Sequence, residues 1–270
     1  MKKITAVFFI ATVVNIFAQE VKFYGEAKPG GILIGQGKNI ISVQLNKANI
    51  QFDKSGIFLI GFDRDAVGPF HLAVKFSNNK AETYDYDLEK RVYEEQSIRV
   101  ASKYVNPPKK MLRKIMNEQN AMKKARAAVG KLKSALFISG FAYPMDTVDI
   151  RASFGTQRIL NGRKGNIHNG IDFHAAVGDS IHAIADGKVI LAGDDFFYNG
   201  NFALLDHGLG LTSVYLHMSK LLVRNGQMVK KGELLGLAGA TGRATGPHLH
   251  LGVQWYNKRI DPMILFGIKF

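Results

Sequence analysis

His248 and His250 stand one residue apart in the stretch TGPHLHLG, Thr245 to Gly252. In an extended strand, side chains two residues apart share a face, so both imidazoles would project together. Two imidazoles on one face suggest metal chemistry, although a lone H-x-H pair is weak evidence. The chain has eight histidines, and seven of them fall between His168 and His250. Within that span, HNGID places His168 four residues before Asp172. Gly170 and the surrounding GNIHNG argue against a helix, so a loop running into a strand must bring the two side chains together. HAIAD repeats the spacing with His182 and Asp186. There Asp186 precedes Gly187 between two apolar runs, which signals a hairpin turn in which Asp serves the backbone. That second pair reads as structural.

The chemistry open to such a set is metal-assisted hydrolysis. A catalytic zinc takes three protein ligands and leaves a fourth position for water. The chain has no cysteine, so a zinc site must be built from His, Asp or Glu. Bound zinc lowers the pKa of its water to about 7 and polarises the attacked carbonyl, and nearby imidazoles suit the proton transfers. His168, Asp172 and His250 can be ligands. His248, and His217 in VYLHMS, can be the imidazoles. His71 is isolated and reads as a structural or surface residue. His174 reads as a structural or surface residue, His207 as part of a turn, and Tyr215 as core.

Strands must position these groups. From Ser139 to Phe270 the chain is rich in short apolar runs separated by Gly, Asn and Asp, which predicts β-structure. From Val21 to Ser102, GGILIGQG, ISVQLNK, GIFLIGFD and HLAVKFS predict a small β-sandwich. Between them, Pro107 and Pro108 end one element. The run that follows, Lys109 to Lys133, reads as helix, with Gly130 as its breaker. It carries nine Lys or Arg against one acid, Glu118.

The formal net charge of +14 points to an acidic partner. The N-terminus narrows the choice. MKKITAVFFIATVVNIFAQE pairs two lysines with an apolar stretch too short to span a membrane comfortably, and it reads as a secretory signal. An exported chain is not expected to bind genomic nucleic acid. An anionic wall polymer or membrane surface, met by the basic helix, is the expected contact.

HNGID, VYLHMS and GPHLHLG, in that order, resemble the LytM/lysostaphin-type peptidoglycan metalloendopeptidases. The frame around them agrees over roughly Ser139 to Pro262. The resemblance implies a mainly β fold whose C-terminal antiparallel β groove is of the LytM/lysostaphin type. An N-terminal small β-sandwich and a helical linker would precede it. By residues, this is a signal peptide at 1–18, an N-terminal β domain at 19–105, a basic helical linker at 106–138 and a zinc metallopeptidase domain at 139–270. It implies Zn2+ bound by His168, Asp172 and His250, and catalytic roles for His217 and His248. The implied substrate is the peptide stem or crossbridge of peptidoglycan, and both D-alanyl-diaminopimelate crosslinks and glycine bridges are open to such an enzyme. A phenylalanine-rich, cysteine-free exported chain without a wall-binding repeat favours a D,D-endopeptidase that could also trim as a D,D-carboxypeptidase. Localisation would be periplasmic, with the cell wall or the extracellular space as the alternatives. The N-terminal region could cover the groove. The alternative is a non-catalytic wall-binding regulator that uses the same groove.

Overall fold

The computed structural model describes residues 21–270, and the expected signal segment lies outside them. Two antiparallel sheets form the N-terminal half. One has the order β1-β2-β5, with β1 at Lys22–Glu26, β2 at Ile32–Gln36 and β5 at Ile57–Gly61. The other has the order β4-β3-β6-β7, with β3 at Ile40–Leu45, β4 at Ala48–Asn49, β6 at Phe70–Phe76 and β7 at Ala81–Tyr86. Strand β6 buries Leu72, Val74 and Phe76 and exposes His71 and Lys75, the alternation of a sheet wetted on one face. These side chains meet Leu33, Phe58 and Ile60 across the sandwich. Strands β2 and β5 are apolar on both faces for a different reason. Their other face carries Ile32, Ile34, Ile57 and Leu59 into the core of the C-terminal half. The two halves therefore share a core.

The C-terminal half is built on an eight-stranded sheet in the order β18-β14-β15-β16-β20-β12-β9, with β21 paired to β20. Its strands are β9 (Ile150–Ala152), β12 (Ile171–His174), β14 (Gly187–Phe196), β15 (Gly200–Gly208), β16 (Leu211–Met218), β18 (Met228–Val229), β20 (His248–Trp255) and β21 (Lys258–Ile260). A small sheet joins β13 (Ser180–His182), β19 (Leu234–Leu237) and β17 (Lys220–Leu221). A third sheet runs β11-β10-β8. Here β8 (Glu95–Ile98) from the N-terminal region pairs in parallel with β10 (Gln157–Leu160), which pairs antiparallel with β11 (Arg163–Ile167). A short helix, α2 (Pro262–Phe266), closes the chain, capped by Asp261 accepting from the Met263 amide.

Two local expectations differ from what is found. The basic helix α1 spans Leu112–Arg126, after a turn of 3-10 helix at Lys109–Met111, and stops before Lys133. Gly130 sits at φ +86, and the backbone beyond it leaves the helix so that the Leu132 carbonyl accepts from the Leu209 amide. Ala135 and Phe137 then enter the C-terminal core. The helix itself buries only Ile115, so burial in the sheet core outweighs another helical turn. The hairpin expected at Asp186–Gly187 is also absent, because β13 and β14 belong to different sheets. The Asp186 carboxylate instead accepts from the Lys231 amide at 2.8 Å and from Lys230 Nζ at 2.9 Å. A Cβ at Gly187 would meet the His207 ring at 2.8 Å.

His207 is fully buried. Its Nδ1 donates to the Asp186 carbonyl at 2.7 Å, and its Nε2 lies 2.7 Å from Ser213 Oγ, which is 3.0 Å from the Tyr215 hydroxyl. Burial pushes its pKa down to about 4, against a weaker upward pull from the Asp186 carbonyl. The unfolded chain therefore takes up this proton first as pH falls. The stabilisation is full above about pH 6.5 and is lost as pH drops towards 4, on the order of 3 kcal/mol. Denaturant titrations at stepped pH should show this loss, and His207→Gln should make the slope shallower, leaving the share that comes from His217, His248 and His250. An unchanged slope in the variant would refute the assignment.

Candidate metal centre and groove

Strand β20 lies between β12 and β16, and that placement assembles the site. Its residue His250 pairs with Asp172 on one side and Leu216 on the other, while Leu249 and Leu251 turn into the core. His248 and His250 share the opposite face, as the H-x-H spacing predicted. His168 precedes β12 and is buried. Gly170 permits this approach, because a Cβ there would stand 2.2 Å from the Leu251 carbonyl oxygen and 2.8 Å from His250 Nε2.

Three donor atoms converge. His168 Nε2 and Asp172 Oδ1 are 2.9 Å apart, Asp172 Oδ1 and His250 Nδ1 are 2.7 Å apart, and the two ring nitrogens are 3.1 Å apart. A tetrahedral ion bound at about 2.0–2.1 Å from each would hold its donors about 3.3 Å apart, so small rotations admit one. Among the described residues, these three are the one group of His, Cys, Asp and Glu so placed. Protonation states suit a ligand set. Burial would raise the Asp172 pKa, but hydrogen bonds from His168 and His250 outweigh it and hold the carboxyl well below the ordinary range. Burial pushes His250 down to about 4, which leaves the imidazole neutral. His168 Nδ1 sits 2.8 Å from the Ser153 carbonyl, which can only accept, so Nδ1 carries a proton and Nε2 is the nitrogen turned towards the other two donors.

Arg158 on β10 donates from Nη2 to Asp172 Oδ2 at 2.7 Å, the oxygen that faces away from the histidines. The spacing of ligand types does not reveal this residue. It fixes the rotation of the carboxylate, and partners of this kind commonly govern metal affinity. Arg158→Ala should weaken zinc binding about 10- to 100-fold in competition with a chromophoric chelator. Unchanged affinity would show that the ion pair is incidental to the metal.

His217 and His248 flank the donors. Each donates Nδ1–H to a backbone carbonyl, His217 to Thr241 at 2.8 Å and His248 to Gly246 at 2.8 Å. Both Nε2 atoms are thereby left as acceptors, and the ring centroids are 4.8 Å apart. Burial lowers both pKa values, His217 to about 3 with help from His248 and His250. Alternation alone would send His217 to the core face with Tyr215, which is fully buried and accepts from the Ile184 amide. His217 instead has φ +67, a left-handed conformation that breaks the alternation and turns its ring towards His248. Such a conformation costs a non-glycine residue about 1–3 kcal/mol and persists only where its surroundings hold it. The Asn199 carbonyl does so by accepting the His217 amide.

The other histidines stay apart from these three donors. His71 is exposed and pairs with Asp85, His174 is exposed at the end of β12, and His182 lies in β13.

The groove holds more than the site. Gln96, Ile98 and Val100 line it from the N-terminal region, alternating with exposed Glu95, Ser97 and Arg99. Asn161 ties this strap down, donating to the Val100 carbonyl at 2.9 Å and accepting the Val100 amide at 3.0 Å. Arg151 and Arg243 line the same space.

Comparison with known proteins agrees with this geometry. Residues 166–262 match peptidase family M23. Over 96 residues the chain is 45% identical to the peptidoglycan DD-endopeptidase ShyB of Vibrio cholerae, covering 36% of this chain and 22% of that one. Over 110 residues it is 40% identical to ShyA of the same organism, covering 40% and 25%. The aligned part is thus about a quarter of the length of these relatives. The crystal structure of a peptidase M23 from Pseudomonas aeruginosa superposes with a TM-score of 0.64 at 28% identity, covering 90% of this chain and 96% of that one. That likeness takes in the N-terminal sandwich as well as the groove.

Proposed function

We propose that this chain, which carries a peptidase family M23 domain at residues 166–262, is an exported zinc-dependent peptidoglycan hydrolase that cuts peptide crosslinks. Its main activity is that of a D,D-endopeptidase, with D,D-carboxypeptidase activity at uncrosslinked termini. The observation that carries this reading is the convergence of His168, Asp172 and His250 beside two imidazoles with free Nε2 atoms. The names of the V. cholerae relatives support the substrate class. The lysine-led apolar segment at the N-terminus supports export to the periplasm. Recovery of the protein in the cytoplasmic fraction of its cell would refute that placement.

When bound, zinc would supply an acidified water and polarise the scissile carbonyl. This chain's residues do the rest. His168, Asp172 and His250 hold the ion, and Arg158 holds Asp172. His217 and His248 face the groove as neutral bases. One takes the proton of the attacking water and delivers it to the leaving nitrogen, and an imidazole so protonated can donate to the developing oxyanion. Purified protein should contain about one zinc per chain and convert crosslinked muropeptide dimers to monomers, read by mass analysis. Zinc-loaded protein that binds wall material and cuts nothing would support the regulator instead.

The strap over the groove is the regulatory part of this proposal. Because Ile32, Ile34, Ile57 and Leu59 belong to the shared core, cutting the chain before Ser134 would damage the peptidase half itself. Asn161→Ala is the cleaner probe. It removes two hydrogen bonds worth about 1 kcal/mol each, and kcat/KM on soluble dimers should rise about tenfold. An unchanged rate, with the strap shown by proteolysis to be loosened, would remove the idea.

Lys109, Lys110, Arg113, Lys123 and Lys124 are exposed on and before α1 and form the surface for an anionic wall or membrane. Retention on isolated wall should fall as salt rises, and salt-independent retention would exclude this contact.

A further inference from the structure

The charge inside the groove is unbalanced. Arg151, Arg158 and Arg243 all line it, and Asp172 is the lone carboxylate among its lining residues. That carboxylate is committed to His168, His250 and Arg158. Among the described residues, neither Arg151 nor Arg243 has an acidic partner within salt-bridge distance. The Arg151 guanidinium meets only neutral groups, Thr245 Oγ1 at 2.8 Å and the Pro247 carbonyl at 3.4 Å. Arg243 is half-buried with its guanidinium 5.0 Å from the centroid of the Tyr198 ring. Even Arg158 keeps a buried Nε with no hydrogen-bond partner among the described residues. Each guanidinium, held by a ring or by neutral oxygens, offers its own fork of donors to a planar anion in the groove.

A peptide bond alone does not call for such a fork. In a glycine bridge, neither residue at the scissile bond carries a charge. In a D-alanyl-D-amino acid linkage, the carbon that bears the scissile nitrogen also bears a free carboxylate. This holds for a D-alanyl-diaminopimelate crosslink and for a D-alanyl-D-alanine terminus alike. We propose that Arg243, flanked by Arg151, binds this carboxylate on the leaving-amine side. It thereby selects D-alanyl-D-amino acid bonds over glycine bridges. The inference rests on the hydrolase reading above and adds to it the residue that sets specificity. It also explains why one site would act on crosslinks and termini, since both present the same anion beside the scissile nitrogen.

The test uses the full mature chain loaded with zinc and two crosslinked dimers. These differ only at the diaminopimelate carboxyl beside the scissile nitrogen, free in one and amidated in the other. Wild type should prefer the free acid at least about 10-fold in kcat/KM, the scale of one hydrogen-bonded charge pair. Arg243→Gln should lose most of that preference, keep its rate on the amide within about threefold, and retain its zinc. Arg243→Lys should recover part of the preference. Equal wild-type rates on the two dimers, an equal loss on both in Arg243→Gln, or faster cleavage of pentaglycine would overturn the proposal while leaving a hydrolase. Failure to cleave any peptide would instead sink the hydrolase reading. Calorimetric binding of the two dimers to zinc-loaded His217→Ala would then still decide the anchor, with tighter binding of the acid expected and equal binding excluding it.

Discussion

His250→Ala is expected to strip zinc from the protein and to lower cleavage of crosslinked muropeptides about a thousandfold or more. His250 supplies Nδ1 to a cluster whose other donors lie 2.7 Å and 3.1 Å away. Two remaining ligands hold zinc poorly, and the lost Lewis acid is worth several kcal/mol of barrier, at about 1.4 kcal/mol per tenfold. The loss should be separable from unfolding, because His250 faces the groove while Leu249 and Leu251 on the same strand fill the core. Metal analysis, a thermal melt and a muropeptide digest on one preparation make the check. A folded variant that digests dimers at the wild-type rate would disprove the metal assignment.

His248→Ala and His217→Ala should fail differently. Each should keep about one zinc per chain and lose about 10²- to 10⁴-fold in kcat, the range of general acid–base catalysis. The double variant should be little worse than either alone, because groups that pass the same proton act as a unit. Burial holds both imidazoles below the ordinary histidine range, His217 at about 3. Both are therefore neutral bases at neutral pH. The acid limb of the wild-type pH profile should lie well below pH 6.5, with activity falling as pH drops and the bases become protonated. Loss of zinc along with activity would instead make one of them a ligand. His217→Ala should also tell on stability, since it leaves a left-handed φ without the ring that uses it.

Arg158, Arg151 and Arg243 were not legible from ligand spacing. Their signal was only that basic residues sit inside the frame of the motifs, as in GTQRIL and TGRATGPHLH. A guanidinium in such a frame is equally a surface charge until the fold shows what it faces. The strap was hidden for a related reason. Glu95–Ile98 is short and polar, and its parallel pairing with β10 is a long-range contact that no local pattern encodes. The shared core was half visible, since GIFLIG is too apolar for a strand wetted on one face, yet nothing in it says what covers the second face.

What the amino-acid order determined by itself was chemistry and local geometry. Residue types offered His and Asp as donors, the absence of cysteine excluded thiolate ligands, and the period of two put His248 with His250, while the resemblance divided the histidines into ligands and bases. Apolar runs and turn residues made both halves β. What only the tertiary structure decided was convergence. Asp172 meets His250 through the pairing of β12 with β20, residues 78 apart in sequence. His217 joins them because one left-handed residue reverses the face that alternation assigns to it. Hydrophobic patterning acts between near neighbours along the chain. The register between distant strands is set by the core as a whole, and a site assembled across that register exists only once the core has packed.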